Sequence, residues 1–182
     1  MFPKGAGTSP EQLAHGFGLV KQWKEDWNAG YSDCGRQPGD CGPFMRFPAK
    51  RELCGERSNE DYVVEDVTDC LVKGDKERVI EVLQNIMENA IKYGDGRQIT
   101  IAFSEEEDCR LVSVVNTGSS IPEAELVHIF DSFYRGSNAD HVKGSGLGLY
   151  ICRSLMHRMD GEVFAEQSED GFLVTVVIRK AG

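Results

Sequence analysis

KERVIEVLQNIMENAIKY, residues 76–93, is the stretch on which the fold turns. Val79, Ile80, Leu83, Ile86, Met87, Ala90 and Ile91 recur at a spacing of about 3.6, so they share one helix face. The spacing predicts an amphipathic helix whose apolar face packs on a sheet. The opposite face carries Glu81, Asn85, Glu88, Asn89 and Lys92. Asn85 and Asn89 lie one turn apart. Asparagine is a poor helix former because its side chain competes for backbone hydrogen bonds, so packing does not demand two on one stripe. One reading of the stripe is a solvated polar face. The other is a row of neutral oxygen donors with a cation, facing a phosphate–metal complex. Mg²⁺ suits that row, since it takes oxygen ligands and only one or two from protein.

Outward from this helix, Tyr62–Val67 reads as a strand. Gln98–Phe103 and Arg110–Val115 predict a hairpin around the acidic turn Ser104–Asp108. Glu123–Phe130 and Gly146–Met159 read as helices. Glu162–Gln167 and Phe172–Ile178 predict a second hairpin. This order predicts an α+β two-layer sandwich, a mixed sheet packed on helices, over residues 61–182. Residues 1–60 differ in character and form an appendage. They hold five of the six prolines and both tryptophans. Ser9-Pro10-Glu11-Gln12 has the form of a helix start, and Leu13, Phe17, Val20, Trp23 and Trp27 follow at helical spacing. Residues 30–58 show no period and many turn formers, and read as a loop. No function follows from the appendage.

A second local feature is Gly144-Ser145-Gly146-Leu147-Gly148-Leu149, at the head of the predicted helix Gly146–Met159. Three glycines at alternate positions let backbone N–H groups approach an anion, and the helix dipole favours negative charge there. No Gly-Lys-Ser/Thr follows, so this is not a P-loop, and no strand leads into it as in a dinucleotide fingerprint. A flexible hinge is the alternative.

Composition narrows the ligand class. Hydrophobic residues make up 40% of the chain and the net charge is −10. No Lys/Arg cluster occurs, which argues against nucleic-acid binding. An anionic ligand must therefore be held by local devices: backbone amides, a helix start, a metal ion and a few placed cations. No run of about 18 apolar residues predicts a membrane span, no leader-type stretch opens the chain, and no direct membrane contact is expected. Of the six cysteines, Cys70, Cys109 and Cys152 sit in apolar patterns and read as small buried hydrophobes. Cys34, Cys41 and Cys54 lie in the Gly/Pro-rich stretch, where a zinc site lacks an obvious fourth ligand. A reducing, cytoplasmic setting is the simpler expectation.

Four segments in order carry a resemblance. Leu83–Tyr93 resembles the N box of sensor histidine kinases, and Asn116-Thr117-Gly118-Ser119-Ser120-Ile121-Pro122 resembles their first glycine box. Phe130-Asp131-Ser132-Phe133-Tyr134-Arg135-Gly136 is similar to the F box, and Gly144–Leu149 to the second glycine box. The resemblance covers roughly residues 60–180. It implies the Bergerat ATP-binding fold of the gyrase, chaperone, histidine kinase and MutL superfamily, with ATP and Mg²⁺ as cofactors. It further implies that Asn89 coordinates Mg²⁺ and that Asn85 lines the same phosphate region. Lys92 and Arg135 would touch phosphate oxygens. Tyr93 would pack near the adenine and Ile121 would wall the base pocket, in the first glycine box with Gly118. Phe133 and Tyr134 would anchor a lid formed by residues 136–143. Gly144, Ser145, Gly146, Leu147 and Gly148 would supply its hinge and the phosphate cradle. His141 and Lys143 read as solvated lid residues.

The chain departs from the pattern in the first glycine box. Asn116 stands where the family has an Asp that accepts from the adenine amino group, and Ser120 stands at its second glycine. An amide oxygen still accepts that bond, without charge assistance, so Asn116→Ala is expected to weaken ATP binding. In hydrolysing relatives a glutamate activates water one turn before the metal-binding asparagine. Here that position is Asn85, which cannot act as a base. The resemblance therefore implies phosphoryl transfer to a protein histidine, driven by positioning and charge neutralisation. None of His15, His128, His141 and His157 has the sequence context of a phosphoacceptor. The acceptor is expected on a separate phosphoacceptor domain of the same or another chain, with a response regulator downstream. This chain alone would be a monomer, inactive or slow, and the resemblance implies a membrane-anchored parent. Two alternatives stay open: a serine kinase of the anti-sigma-factor type, and a degenerate ATP-binding module that regulates a partner.

Overall fold

Asp75 starts the long helix by accepting from the Arg78 N–H at 3.1 Å through its side chain, a side-chain cap for one of the orphan donors of the first turn. The helix, α1, runs Lys76–Tyr93, the span its periodicity predicts, and ends where Gly94 N–H bonds the Ala90 carbonyl. The computed structural model describes residues 44–47, 70–95, 99–139, 143–169 and 171–181. In chain order these form β1 (Phe44–Phe47), β2 (Cys70–Lys73), α1, β3 (Ile99–Glu105), β4 (Cys109–Asn116), α2 (Glu123–Leu126), a 3-10 turn (Ser137–Ala139), α3 (Gly148–Arg158), β5 (Glu162–Ser168) and β6 (Gly171–Arg179).

The main sheet has the order β3-β4-β6-β5, and each pairing is antiparallel. The mixed sheet expected from sequence is thus, among the described strands, antiparallel throughout. Hairpin turns explain two of the pairings: Glu106 N–H closes on the Cys109 carbonyl, and Ser168 Oγ donates to the Gly171 carbonyl. Alternate residues of β4 and β6, among them Val112, Val114, Val174, Val176 and Ile178, are buried beneath α1 and α3. Both helices lie on that one face, giving the two-layer α+β sandwich. Cys152 is fully buried between them, its thiol donating to the Val82 carbonyl, and burial pushes that thiol up to about 12. Cys109 is buried and Cys70 half-buried.

Three expectations change. Phe44–Phe47, inside the stretch read as a loop, is a strand paired with Cys70–Lys73. Four residues are too few for alternation to stand out from turn formers on either side. The second predicted helix begins at Gly148 rather than Gly146, because Gly146 has a left-handed φ of 71° and cannot continue an α-helix. The first short helix stops at Leu126 and gives way to turns through Phe130. The expected strand Tyr62–Val67, the helix from Ser9, Cys34, Cys41, Cys54, His15 and His141 lie outside the described residues.

Candidate nucleotide site

The amide stripe of α1 is not a solvated face. Asn85 and Asn89 are half-buried and look onto the first residue of α3. A methyl group added at Gly148 would lie 3.6 Å from Asn89 Nδ2 and 3.7 Å from Asn85 Oδ1. A Cβ there would make ordinary van der Waals contact and fill part of the gap, which glycine leaves open. A cavity of about 350 Å³ opens here between α1, α3 and the ends of β4 and β6. That is within the range of small-molecule sites, about 300–1,000 Å³.

The cavity has two chemically different regions. At its mouth stand Lys92, Arg135 and Lys143, with Glu88 the one carboxylate among the described lining residues. Three cations against one anion is the reverse of the chain's overall balance of −10, and such a local field favours a phosphate group. Lys92 is already bonded to Glu88 at 3.1 Å, one turn away on the same helix, and Arg135 donates to the Ala139 carbonyl. Deeper in, Ile86, Val114, Phe172 and Val174 form an apolar floor that also holds Asn116, only 3% exposed, and Ser119, 5% exposed.

The segment Gly144–Leu147 is held from beneath. Phe133 N–H donates to the Gly146 carbonyl at 3.0 Å, and both residues are left-handed, with φ of 64° and 71°. Gly136 and the 3-10 turn after it are held by Glu125, whose carboxylate accepts the Ser137 N–H at 2.9 Å. The bonds from Ser137, with a further one from Tyr134, hold the Glu125 carboxyl below the usual carboxylate range.

Of the residues singled out in sequence, Asn85, Asn89, Lys92, Tyr93, Asn116, Ile121, Tyr134, Arg135 and Gly144 through Gly148 all line this cavity. Gly118 and Phe133 do not. Gly118 is a left-handed turn residue beside Asp95, where a Cβ would collide with that side chain. Phe133 is 71% exposed with its ring outside the cavity, so its backbone rather than its ring supports the glycine segment. Lys143 is exposed and lines the mouth; His141 lies outside the described residues. Val114, Phe172 and Val174 were missed as lining residues; the end of each strand's buried alternation was the available signal. Ser119 and Glu125 had none.

The donor set decides which cofactors fit. Amide oxygens at Asn85 and Asn89 are hard ligands of the type Mg²⁺ prefers. The apolar floor with two polar atoms suits a flat heteroaromatic base, and the cationic mouth suits its phosphates.

Residues 74–182 match the family of histidine kinase-, DNA gyrase B- and HSP90-like ATPases. The sensor histidine kinase WalK of Bacillus subtilis is 35% identical over 106 residues, 56% of this chain and 17% of WalK. The catalytic domain of the histidine kinase ThkA superposes with a TM-score of 0.58 at 34% identity, covering 67% of this chain and 81% of that one. ThkA in complex with the response regulator protein TrrA matches at 31% identity and a TM-score of 0.55, covering 66% of this chain and 34% of that chain. The chain spans less than a quarter of the length of the curated relatives it matches.

Proposed function

The chain belongs to the family of histidine kinase-, DNA gyrase B- and HSP90-like ATPases, and from that premise we propose that it binds Mg-ATP in this cavity. We propose further that it passes the γ-phosphoryl group to a histidine on a phosphoacceptor domain, with a response regulator downstream. The observation that carries the reading is the open gap between Gly148 and the oxygen donors Asn85 and Asn89. Gly148 leaves the start of α3 uncovered, so its free N–H groups face the phosphates. Asn89, with Asn85 one turn earlier, would hold Mg²⁺, which when bound neutralises phosphate charge. Lys92, Arg135 and Lys143 add cations at the mouth.

Asn85 is also why transfer is favoured over hydrolysis. An amide does not take a proton from water near neutral pH, and the lining carboxylate Glu88 is bonded to Lys92. The site orients and neutralises ATP and leaves the nucleophile to the acceptor. Of the described histidines, His128 pairs with Asp131 and His157 with Glu162 on the surface. Residues 61–182 would be the catalytic unit, and residues 1–60 an appendage that pairs β1 with β2.

The test is a chimera in which residues 61–182 replace the catalytic domain of ThkA, incubated with γ-labelled ATP. Acid-labile, base-stable label on the phosphoacceptor domain, passed on to TrrA, is the expected result. Acid-stable label would point to serine transfer instead. Bound ATP with no label on any protein would make the chain a regulatory module.

A further inference from the structure

The floor of the cavity carries two polar side chains whose hydrogen-bonding capacity the described residues do not fill. Asn116 Nδ2 and Ser119 Oγ are buried and have no hydrogen-bond partner among the described residues. Buried polar groups in folded proteins are nearly always bonded, and an orphan of this kind is costly unless a ligand completes it. Both residues line the cavity, on the floor with Val114, Phe172 and Val174.

The backbone of Asn116 is held by its neighbours. It ends β4, paired in register with Phe172. A Cβ at Gly171 would collide with the Asn116 carbonyl, and one at Gly94 would lie 3.6 Å from Asn116 Cβ. Gly171 thus lets neighbouring backbone close on the Asn116 carbonyl and fixes the end of β4 from which its side chain reaches the cavity. Among the described residues no carboxylate stands in for it. Asp95 accepts from Thr117 Oγ1 at 2.8 Å and does not line the cavity, while Glu88 is bonded to Lys92 at the mouth.

We propose that the Asn116 amide lets the base end of this cavity accept 6-oxopurine nucleoside triphosphates, such as ITP, as well as ATP. This rests on the reading of the cavity as an ATP site. A carboxylate only accepts hydrogen bonds, so it selects a base with an amino group at position 6 and repels one with a carbonyl there. An amide offers both functions, and a half-turn of its end exchanges them. Asn116 Oδ1 meets the 6-amino group of adenine; Nδ2 meets the 6-carbonyl of hypoxanthine. The neighbouring ring nitrogen changes in the same sense, from acceptor in adenine to N–H donor in hypoxanthine. The Ser119 hydroxyl donates to one and accepts from the other. With either base the end of the Asn116 amide that faces it is matched, so the discrimination that follows from facing a base with the wrong hydrogen-bonding group is missing.

Titrating the full chain with ATP and with ITP in Mg²⁺ buffer tests this, alongside Asn116→Asp, with cooperative melting as the check on folding. The expected result is an ITP Kd within about tenfold of the ATP value. In Asn116→Asp the ratio should move at least about tenfold toward ATP, because a charge then faces the carbonyl. A gap above about tenfold in the unaltered chain overturns the proposal. An unchanged ratio in folded Asn116→Asp also overturns it, because Asn116 is then not the selecting group. If that variant does not fold, the ratio in the unaltered chain decides. A folded chain that binds neither nucleotide removes the ATP reading, and this inference with it.

Discussion

At Gly146 a methyl group would sit 2.5 Å from the Tyr134 carbonyl oxygen and 2.7 Å from the Phe133 carbonyl carbon, on a residue whose φ is already 71°. Gly146→Ala should therefore destabilise this corner by about 1–3 kcal/mol, the usual cost of a left-handed non-glycine residue, and weaken ATP binding more than it lowers the melting temperature. Equal ATP affinity in the variant would show that the glycine segment does not shape the site. That segment was legible in sequence, because glycine at alternate positions before a helical pattern has few other uses. Its geometry was not. The spacing placed Gly146 in the helix, but the left-handed turn is imposed by the Phe133 bond from another segment. The same division holds at Phe133, whose position was marked but whose ring points away from the cavity. Asn85 and Asn89 were legible as an oddity, and their place against Gly148 in the lining of the cavity was not.

At the level of elements, the site depends on how α3 is held against α1. Met156, on the inner face of α3, is fully buried, and its Cε lies 2.5 Å from where a Cβ on Gly161 would be. Met156→Ala should cost about 2–5 kcal/mol, as buried methionine truncations do, and is read as a lower urea midpoint with an unchanged slope. A cost below about 1 kcal/mol would mean that this contact does not fix the helix. Asp75→Ala should cost about 1 kcal/mol through loss of the α1 cap, visible as a fall in the melting temperature. α1 was fully legible because 18 residues give five turns of period. The β3–β4 and β5–β6 hairpins were legible from alternation and turn residues. The β1–β2 pair was not, since each strand has four residues and the pairing joins segments far apart in sequence. Neither its alternation nor its turn chemistry is local.

For the whole molecule, a net charge of −10 argues against a broad anion-binding surface, and the structure answers with a small cationic mouth. Surface charge also ties the layers together. Lys73 on β2 is bonded to Asp160, just after α3, and that bond and charge hold the Asp160 carboxyl below its ordinary range. A carboxyl held low in the native state contributes its stability in full above its unfolded value of about 4, and loses it as pH falls through the lowered native value. The pair is exposed, so the contribution is small and screened by salt. Melting temperatures of the chain and of Asp160→Asn should therefore differ near neutral pH at low salt and converge as pH falls below about 4. A difference that persists at low pH would assign the effect to packing. In the proposed site, Asn89 and the glycine segment enclose Mg-ATP. Calorimetry with ATP, with and without Mg²⁺, on the chain and on Asn89→Ala is the first experiment to make. Saturable binding that requires Mg²⁺ and is lost in the variant is the expected result; binding indifferent to both Mg²⁺ and Asn89, or none at roughly millimolar ATP by a folded chain, would overturn the assignment of this site.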